Sequence, residues 1–203
     1  PTTLGWTVDP SFAPSGRPSS GPVSNDQGSG LDAWSIDDNL TTIGSNWLYT
    51  QSPSANDNSQ ASSLGWTLRA QLRVVDAPDD VGNAGSIILE YANGVTDFRL
   101  ALGNEVDGDP IALLWDGGTD GGGTATGTSF TLQGGGNGYH LYEMIYDPVA
   151  ASLDLFIDGV ERISNYSGIQ SSLFDRVAWG SGSSIDTGQS NWNQVDFEIA
   201  AVP

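Results

Sequence analysis

The sequence predicts an all-β fold, a two-sheet antiparallel jelly-roll sandwich. Three observations carry this expectation. Short runs that alternate apolar and polar residues recur along most of the chain, the pattern of strands with one buried face. Gly-rich turn signals separate them at Asn93-Gly94, Asp107-Gly108, Asp116-Gly-Gly118, Gly134-Gly-Gly136 and Asp158-Gly159. No segment keeps a helical period over three turns, and only Ser167–Phe174 comes near one. Many short strands without alternating helices imply two packed sheets.

The strands are read in order. Leu4-Gly-Trp-Thr-Val8 is a short strand, and the Pro/Ser/Gly-rich stretch from Pro10 to Gly30 follows it. Such a composition buries little, so residues 1–30 are expected to form an extended N-terminal arm and residues 31–203 the sandwich. The arm repeats a body motif, because Leu4-Gly-Trp-Thr7 recurs as Leu64-Gly-Trp-Thr67. The expected body strands are Ala33–Ile36, Trp47–Thr50, Trp66–Val75, Ser86–Tyr91, Asp97–Leu102, Ile111–Trp115, Ser129–Leu132, Tyr139–Tyr146, Leu153–Ile157, Val160–Ile163, Arg176–Trp179 and Gln194–Ala200. Asp158-Gly159 between two of them marks a tight hairpin, since both residues tolerate the positive φ that such turns need. Gly117–Gly127 reads as a loose hairpin loop. Two sequons, Asn39-Leu-Thr41 and Asn165-Tyr-Ser167, complete the local motifs.

Composition narrows the partners. The 203 residues carry a formal net charge of −19, with six basic residues, all of them Arg. A surface of that sign repels nucleic acid and anionic membranes. No apolar run is long enough to span a bilayer as a helix. There is no Cys, so neither disulfides nor thiol chemistry enter, and a chain of this size can bury a stable core without them. The first residue is Pro1 and no leader is visible, which suits an exported, processed protein.

The hairpin Tyr139-His-Leu-Tyr-Glu-Met-Ile-Tyr-Asp147, with Leu153-Asp-Leu-Phe-Ile-Asp-Gly159 after it, resembles the concanavalin A-like, laminin-G-like domains. Val177-Ala-Trp-Gly-Ser-Gly-Ser-Ser184 and Asn191-Trp-Asn-Gln-Val-Asp-Phe197 are similar to the closing strands of such domains in proteins with a PEP-CTERM sorting tail. The chain stops at Ala201-Val-Pro203, where such tails begin. The resemblance implies a secreted or cell-surface bacterial protein that binds glycans or proteins, with glycosidases and lyases among its relatives. It also implies a structural Ca²⁺ near the terminal strands, for which Asp196 is the positional match. Asp37-Asp38, Asp79-Asp80, Asp107, Asp109 and Asp116 are further oxygen donors.

Strand alternation nominates a binding face. Arg69, Gln71 and Arg73 alternate against Trp66, Leu68, Ala70, Leu72 and Val74; Arg99 alternates against Phe98 and Leu100; Glu90, Glu143 and Asp154 oppose core positions of their own strands. If these strands share one sheet, they form a polar face for glycan or extracellular polysaccharide. Arg forks suit sugar carboxylates and sulfates, and amides and carboxylates suit sugar hydroxyls. The bland alternative is a solvated face, on which an exposed Arg contributes little to stability. A glycosidase would need Glu90 and Glu143 as its carboxylate pair. His140, the single His, falls on the core face of its strand and reads as a packed, hydrogen-bonded residue, which leaves no zinc site or catalytic triad. Trp66, Trp115, Trp179 and Trp192 read as core. Trp6, Trp34 and Trp47 could stack on sugars or anchor the arm. A second functional class is a self-assembling filament subunit that donates Leu4, Trp6 and Val8 to a neighbour's sheet edge, giving a homopolymer.

Overall fold

The computed structural model describes residues 1–9, 19–38, 47–77, 87–105, 107–119, 125–182 and 188–200. In chain order the elements are β1 (Thr7–Val8), β2 (Ser19–Val23), β3 (Ala33–Asp37), β4 (Trp47–Gln51), α1 (Ala55–Leu64), β5 (Trp66–Asp76), β6 (Ile87–Asn93), β7 (Thr96–Asn104) and β8 (Pro110–Thr119). They continue with β9 (Ala125–Thr131), β10 (His140–Asp147), β11 (Ser152–Ile157), β12 (Val160–Tyr166), β13 (Ile169–Gln170), β14 (Asp175–Ser181) and β15 (Gln189–Ile199). Two antiparallel sheets result. One has eight strands in the order β1-β4-β14-β6-β7-β8-β9, with β13 on β7; the other has seven, in the order β12-β11-β10-β5-β15-β3-β2. The fold is the expected all-β sandwich.

The core lies between the inner faces and follows the alternation. On the seven-stranded sheet Trp66, Leu68, Ala70 and Leu72 of β5 and Tyr142 and Met144 of β10 are buried; Leu89 and Tyr91 of β6, Phe98 and Leu100 of β7, and Trp179 of β14 face them. Trp66 stacks on Tyr146 with centroids 5.7 Å apart and meets Tyr91 edge-on at 4.8 Å. Tyr49 stacks on Trp179 at 4.6 Å. Aromatic pairs of this kind add to the area they bury. The Asp158-Gly159 turn has the expected double positive φ, 53° and 74°, and the Asp158 carboxylate accepts from Leu141 N–H at 2.9 Å.

Three expectations need correction. The helix lies at Ala55–Leu64, not at 167–174, where Ile169–Gln170 forms β13 instead. Only Ala61 of α1 is buried, so the segment has no apolar stripe to read. Its start is fixed by a capping box, in which Ser54 Oγ accepts from Asp57 N–H and the Asp57 carboxylate accepts from Ser54 N–H at 2.9 Å. Second, Trp115 is not a core residue: it packs with Ala101 and Leu113 on the outer face of the eight-stranded sheet.

Third, the described parts of residues 1–30, 1–9 and 19–30, pair with the body of the same chain. β1 pairs with β4 and β2 with β3 of the same chain. Leu4, Trp6 and Val8, the residues expected to dock on a neighbour, lie on their own sandwich. Trp6 is buried edge-on against Trp179, with centroids 5.8 Å apart, and Val8 packs on the core. Asp26 then ties the segment to the seven-stranded sheet. Its carboxylate accepts from Arg73 Nε at 2.8 Å and Nη2 at 2.9 Å, and from Tyr139 Oη and Asn191 Nδ2 at 2.9 Å each. These bonds, Arg73's above all, hold the Asp26 carboxyl down at about 2 against the opposing effect of burial.

Arg73 is therefore a buried structural cation and not an exposed one. Truncating it leaves the Asp26 carboxylate buried without a counter-charge, which costs roughly 3–5 kcal/mol. Arg73→Ala should lower the urea midpoint by a corresponding amount at pH 7. An unchanged midpoint would show that the pair contributes nothing.

Candidate glycan-binding site

The nominated polar face divides between the two sheets. Arg69, Gln71, Glu143 and Asp154 share the outer face of the seven-stranded sheet. There Arg69 of β5 stands between Glu143 of β10 and Asp196 of β15. Arg69 lies 3.6 Å from Glu198, and both side chains are well exposed, so this pair is a weak surface contact. Asp154 accepts from Asn165 N–H at 2.9 Å. Arg73 lies on the same face but is covered by Asp26 and Tyr139. Glu90 and Arg99 belong to β6 and β7 of the other sheet. Glu90 and Glu143 thus sit on different sheets and form no carboxylate pair.

The outer face of the eight-stranded sheet carries a different constellation. Glu90 is fully buried. Its Oε1 accepts from Arg176 Nε at 2.7 Å and its Oε2 from Arg99 Nε at 2.9 Å. Each guanidinium has an aromatic partner: Arg176 lies 3.9 Å over Phe174 and Arg99 lies 4.5 Å over Trp115. Arg176 reaches Asp9 at 3.2 Å, and Arg99 Nη2 donates to Asp97 at 2.8 Å. The result is a row across the sheet, Phe174, Arg176, Glu90, Arg99 and Trp115, with carboxylates at its sides. Register makes the row: Glu90 is directly opposite Arg99.

A cavity of about 620 Å³ opens beside this row. Asp97, Arg99, Trp115, Asp116, Gln170 and Phe174 line it. Arg99 is 20 % exposed, whereas Asp97 is buried. Two of the guanidinium's N–H groups are bound to Glu90 and Asp97, and a guanidinium has five. Trp115 is held in place by its Nε1–H, which donates to Gly118 O at 3.1 Å, and by Tyr166 Oη, which donates to the Trp115 carbonyl.

The two carboxyls in this cavity have opposite environments. Burial pushes the Asp97 carboxyl up to about 7, with Glu90's charge adding to the effect and Arg99 and Arg176 opposing it. Its Oδ1 has no hydrogen-bond partner among the described residues. Asp116 is held below the usual carboxylate range by Thr126 Oγ1–H at 2.6 Å and Gly118 N–H at 2.9 Å. Sequence reading named Arg99 and Glu90, read Asp116 as a calcium donor and Trp115 as core, and missed Asp97 and Arg176. The available signal was the pair Asp97 and Arg99 on one strand face, two residues apart.

The remaining candidates lie elsewhere. His140 is half-buried at the start of β10, with Nδ1 2.7 Å from Asp158 Oδ2. Asp196 accepts from the Gln194 amide and stands across from Arg69. Among the described residues no three acidic or His groups gather as a metal cluster, and this setting does not fit the oxygen cage of Ca²⁺. Asp109 is engaged by Gly134 and Gly136 N–H, and Asp38 by Ser181 Oγ. Asn39, Asp79 and Asp80 fall outside the described residues.

No family profile matches the chain. The chain is similar to a sialidase of Vibrio cholerae serotype O1, 28% identical over 200 residues. That match covers 98% of this chain and 22% of the sialidase, so the chain spans about a fifth of the relative's length. Among solved structures, a carbohydrate esterase of the Shiga toxin-encoding bacteriophage phi24B superposes with a TM-score of 0.68 at 13% identity, over 98% of this chain and 92% of the other. The binding domain of botulinum neurotoxin DC, in complex with SialylT, superposes with a TM-score of 0.55 at 9% identity, over 97% of this chain and 46% of that one. These likenesses establish a shared sandwich fold.

Asp97 makes stability depend on pH in a defined direction. Its folded-state value lies above the ordinary 3.8. The folded state therefore binds the extra proton, and stability is lost as pH rises from about 4 through about 7. Asp97→Asn removes that penalty. The variant's urea midpoint, taken relative to the parent's, should rise from pH 5 to pH 8. A difference that stays constant, or falls, would show that Asp97 is ionised in the folded state throughout.

Proposed function

We propose that this chain is an exported, non-catalytic carbohydrate-binding module whose sugar seat is the Arg99–Trp115 cavity. The observation that carries the reading is that cavity: about 620 Å³, with a partly exposed guanidinium held in place by two carboxylates and an indole. A guanidinium fixed before the ligand arrives loses little entropy on binding and suits a carboxylate. A sugar that carries a carboxylate, such as a sialic acid, is the ligand class that fits. The similarity to one stretch of a sialidase and the fold shared with a toxin binding domain solved with SialylT support the same class. An extracellular or cell-surface setting suits such a ligand.

Glycoside hydrolysis is the second reading. Asp97 and Asp116 favour it, two carboxyls of one cavity with protonation ranges pushed apart, as an acid and its partner require. Release of sialic acid from 3′-sialyllactose, lost in Asp97→Asn, would support it. A glycan recovered intact supports binding alone. Strand-donating assembly has less support, because β1 and β2 are paired within the chain.

Calorimetric titration with 3′-sialyllactose tests the binding reading. Arg99→Ala should abolish binding, whereas Arg69→Ala on the other sheet should leave it unchanged. The pH dependence has a sign. An incoming carboxylate competes with ionised Asp97 for Arg99, so binding takes up a proton and strengthens from pH 8 to pH 6, by at most about tenfold per unit. Affinity that falls over that range would mean that the sugar instead donates hydroxyls to an ionised Asp97. Absence of binding, or binding indifferent to Arg99→Ala, would remove the site.

A further inference from the structure

A second cavity, of about 310 Å³, lies at the sandwich rim. It shares no lining residue with the Arg99–Trp115 cavity. Its apolar surface comes from Trp34 and the exposed Leu4, over a floor of the buried indoles Trp6, Trp179 and Trp192. The rim is polar, with Asn193, Gln194, Asp32 and Asp196. No Arg contributes to it, and the chain has no Lys.

The walls are held rigidly. Trp34 Nε1–H donates to Tyr49 Oη at 2.9 Å, and Trp192 Nε1–H donates to Ser190 Oγ at 2.7 Å. Trp6 and Trp192 each pack against the Trp179 ring, with centroids 5.8 and 5.0 Å away. Trp179 itself is buried, and its Nε1–H has no hydrogen-bond partner among the described residues. The rim is shaped by an irregularity in β15: register slips between Trp192 and Gln194, which leaves Asn193 as the extra residue. Such a bulge re-aims the side chains around it. Asn193 Nδ2 donates to Asp32 O at 2.7 Å, and the Gln194 amide donates to the Asp196 carboxylate.

We propose that this tryptophan-lined cavity is a second carbohydrate site and that it takes an uncharged pyranose. The chemistry is complementary on each side. The C–H face of a pyranose matches the apolar surface of Trp34 and Leu4, and its hydroxyls match a rim of amide and carboxylate groups. Two rim carboxylates, with no Arg or Lys among the lining residues, disfavour a carboxylated sugar. The two cavities therefore differ in charge preference, the Arg99 cavity for an acidic sugar and this one for a neutral sugar. The inference goes beyond the Arg99 site and stands whether or not that site binds sialic acid.

The test uses the full chain and two probes, methyl β-galactopyranoside and methyl N-acetyl-β-glucosaminide, followed by tryptophan fluorescence and by saturation-transfer NMR. At least one should bind and perturb the indole emission. Gln194→Ala and Asp196→Ala change exposed rim residues, so the fold should survive, as circular dichroism would verify. Each should weaken binding roughly tenfold or more, the effect of losing a hydrogen bond to a charged or oriented group. Arg99→Ala should leave this binding unchanged, even where it abolishes binding of 3′-sialyllactose. The proposal is overturned if neither glycoside binds, or if binding survives both rim variants. Loss of all sugar binding in Arg99→Ala, with a circular dichroism spectrum that matches the parent's, would also overturn it, by showing a single site at Arg99.

Discussion

A fully buried carboxylate has to be paired, and Glu90 is the one around which the outer face of the eight-stranded sheet is arranged. Its two oxygens are divided between two guanidiniums that reach it from neighbouring strands. If either guanidinium swings away, one Glu90 oxygen is left without its partner in the interior. Arg176 is thereby pinned over Phe174 and Arg99 over Trp115. Asp97, next along β7, must then share a crowded, desolvated space with Glu90, and its carboxyl moves up in consequence. One pairing requirement thus fixes the position of a cation, the orientation of an indole and the protonation range of an acid. This is how a flat sheet face becomes a preorganised cavity.

The same requirement operates on the other sheet with a different result. Asp26 collects Arg73, Tyr139 and Asn191, and the constellation closes over itself. It joins the polar N-terminal segment to the sheet and leaves no guanidinium free. Arg73 and Arg99 look alike in the sequence, each alternating against apolar neighbours. Their roles diverge because one is covered by a distant turn and the other borders a cavity.

That contrast marks what alternation can and cannot reveal. Strand positions and inward-facing residues were legible, because a period of two with Gly-rich punctuation is a local property: β5, β10 and β11 lie where the pattern put them. Which strands share a sheet is not local. Glu90 and Glu143 both read as outward-facing, yet they face opposite sides of the molecule. Trp115 read as core because it lies in an apolar strand, but it alternates against Leu114 and so faces outward. Helix α1 has no apolar stripe, and only its Ser54–Asp57 capping box and Gly65 betray it. The N-terminal segment read as an arm because its composition is polar. Its described parts are held by pairing with β4 and β3, by one ion pair and by one Trp, which composition averages away.

The central claim is that Arg99 and Trp115 seat a carboxylated sugar. It is tested most directly by indole N–H correlation NMR during addition of 3′-sialyllactose, with the Trp115 resonance assigned from Trp115→Phe. The account predicts that the Trp115 signal moves progressively and saturates while the Trp6, Trp34 and Trp179 signals stay in place. A Trp115 signal that does not respond to the sugar would contradict it.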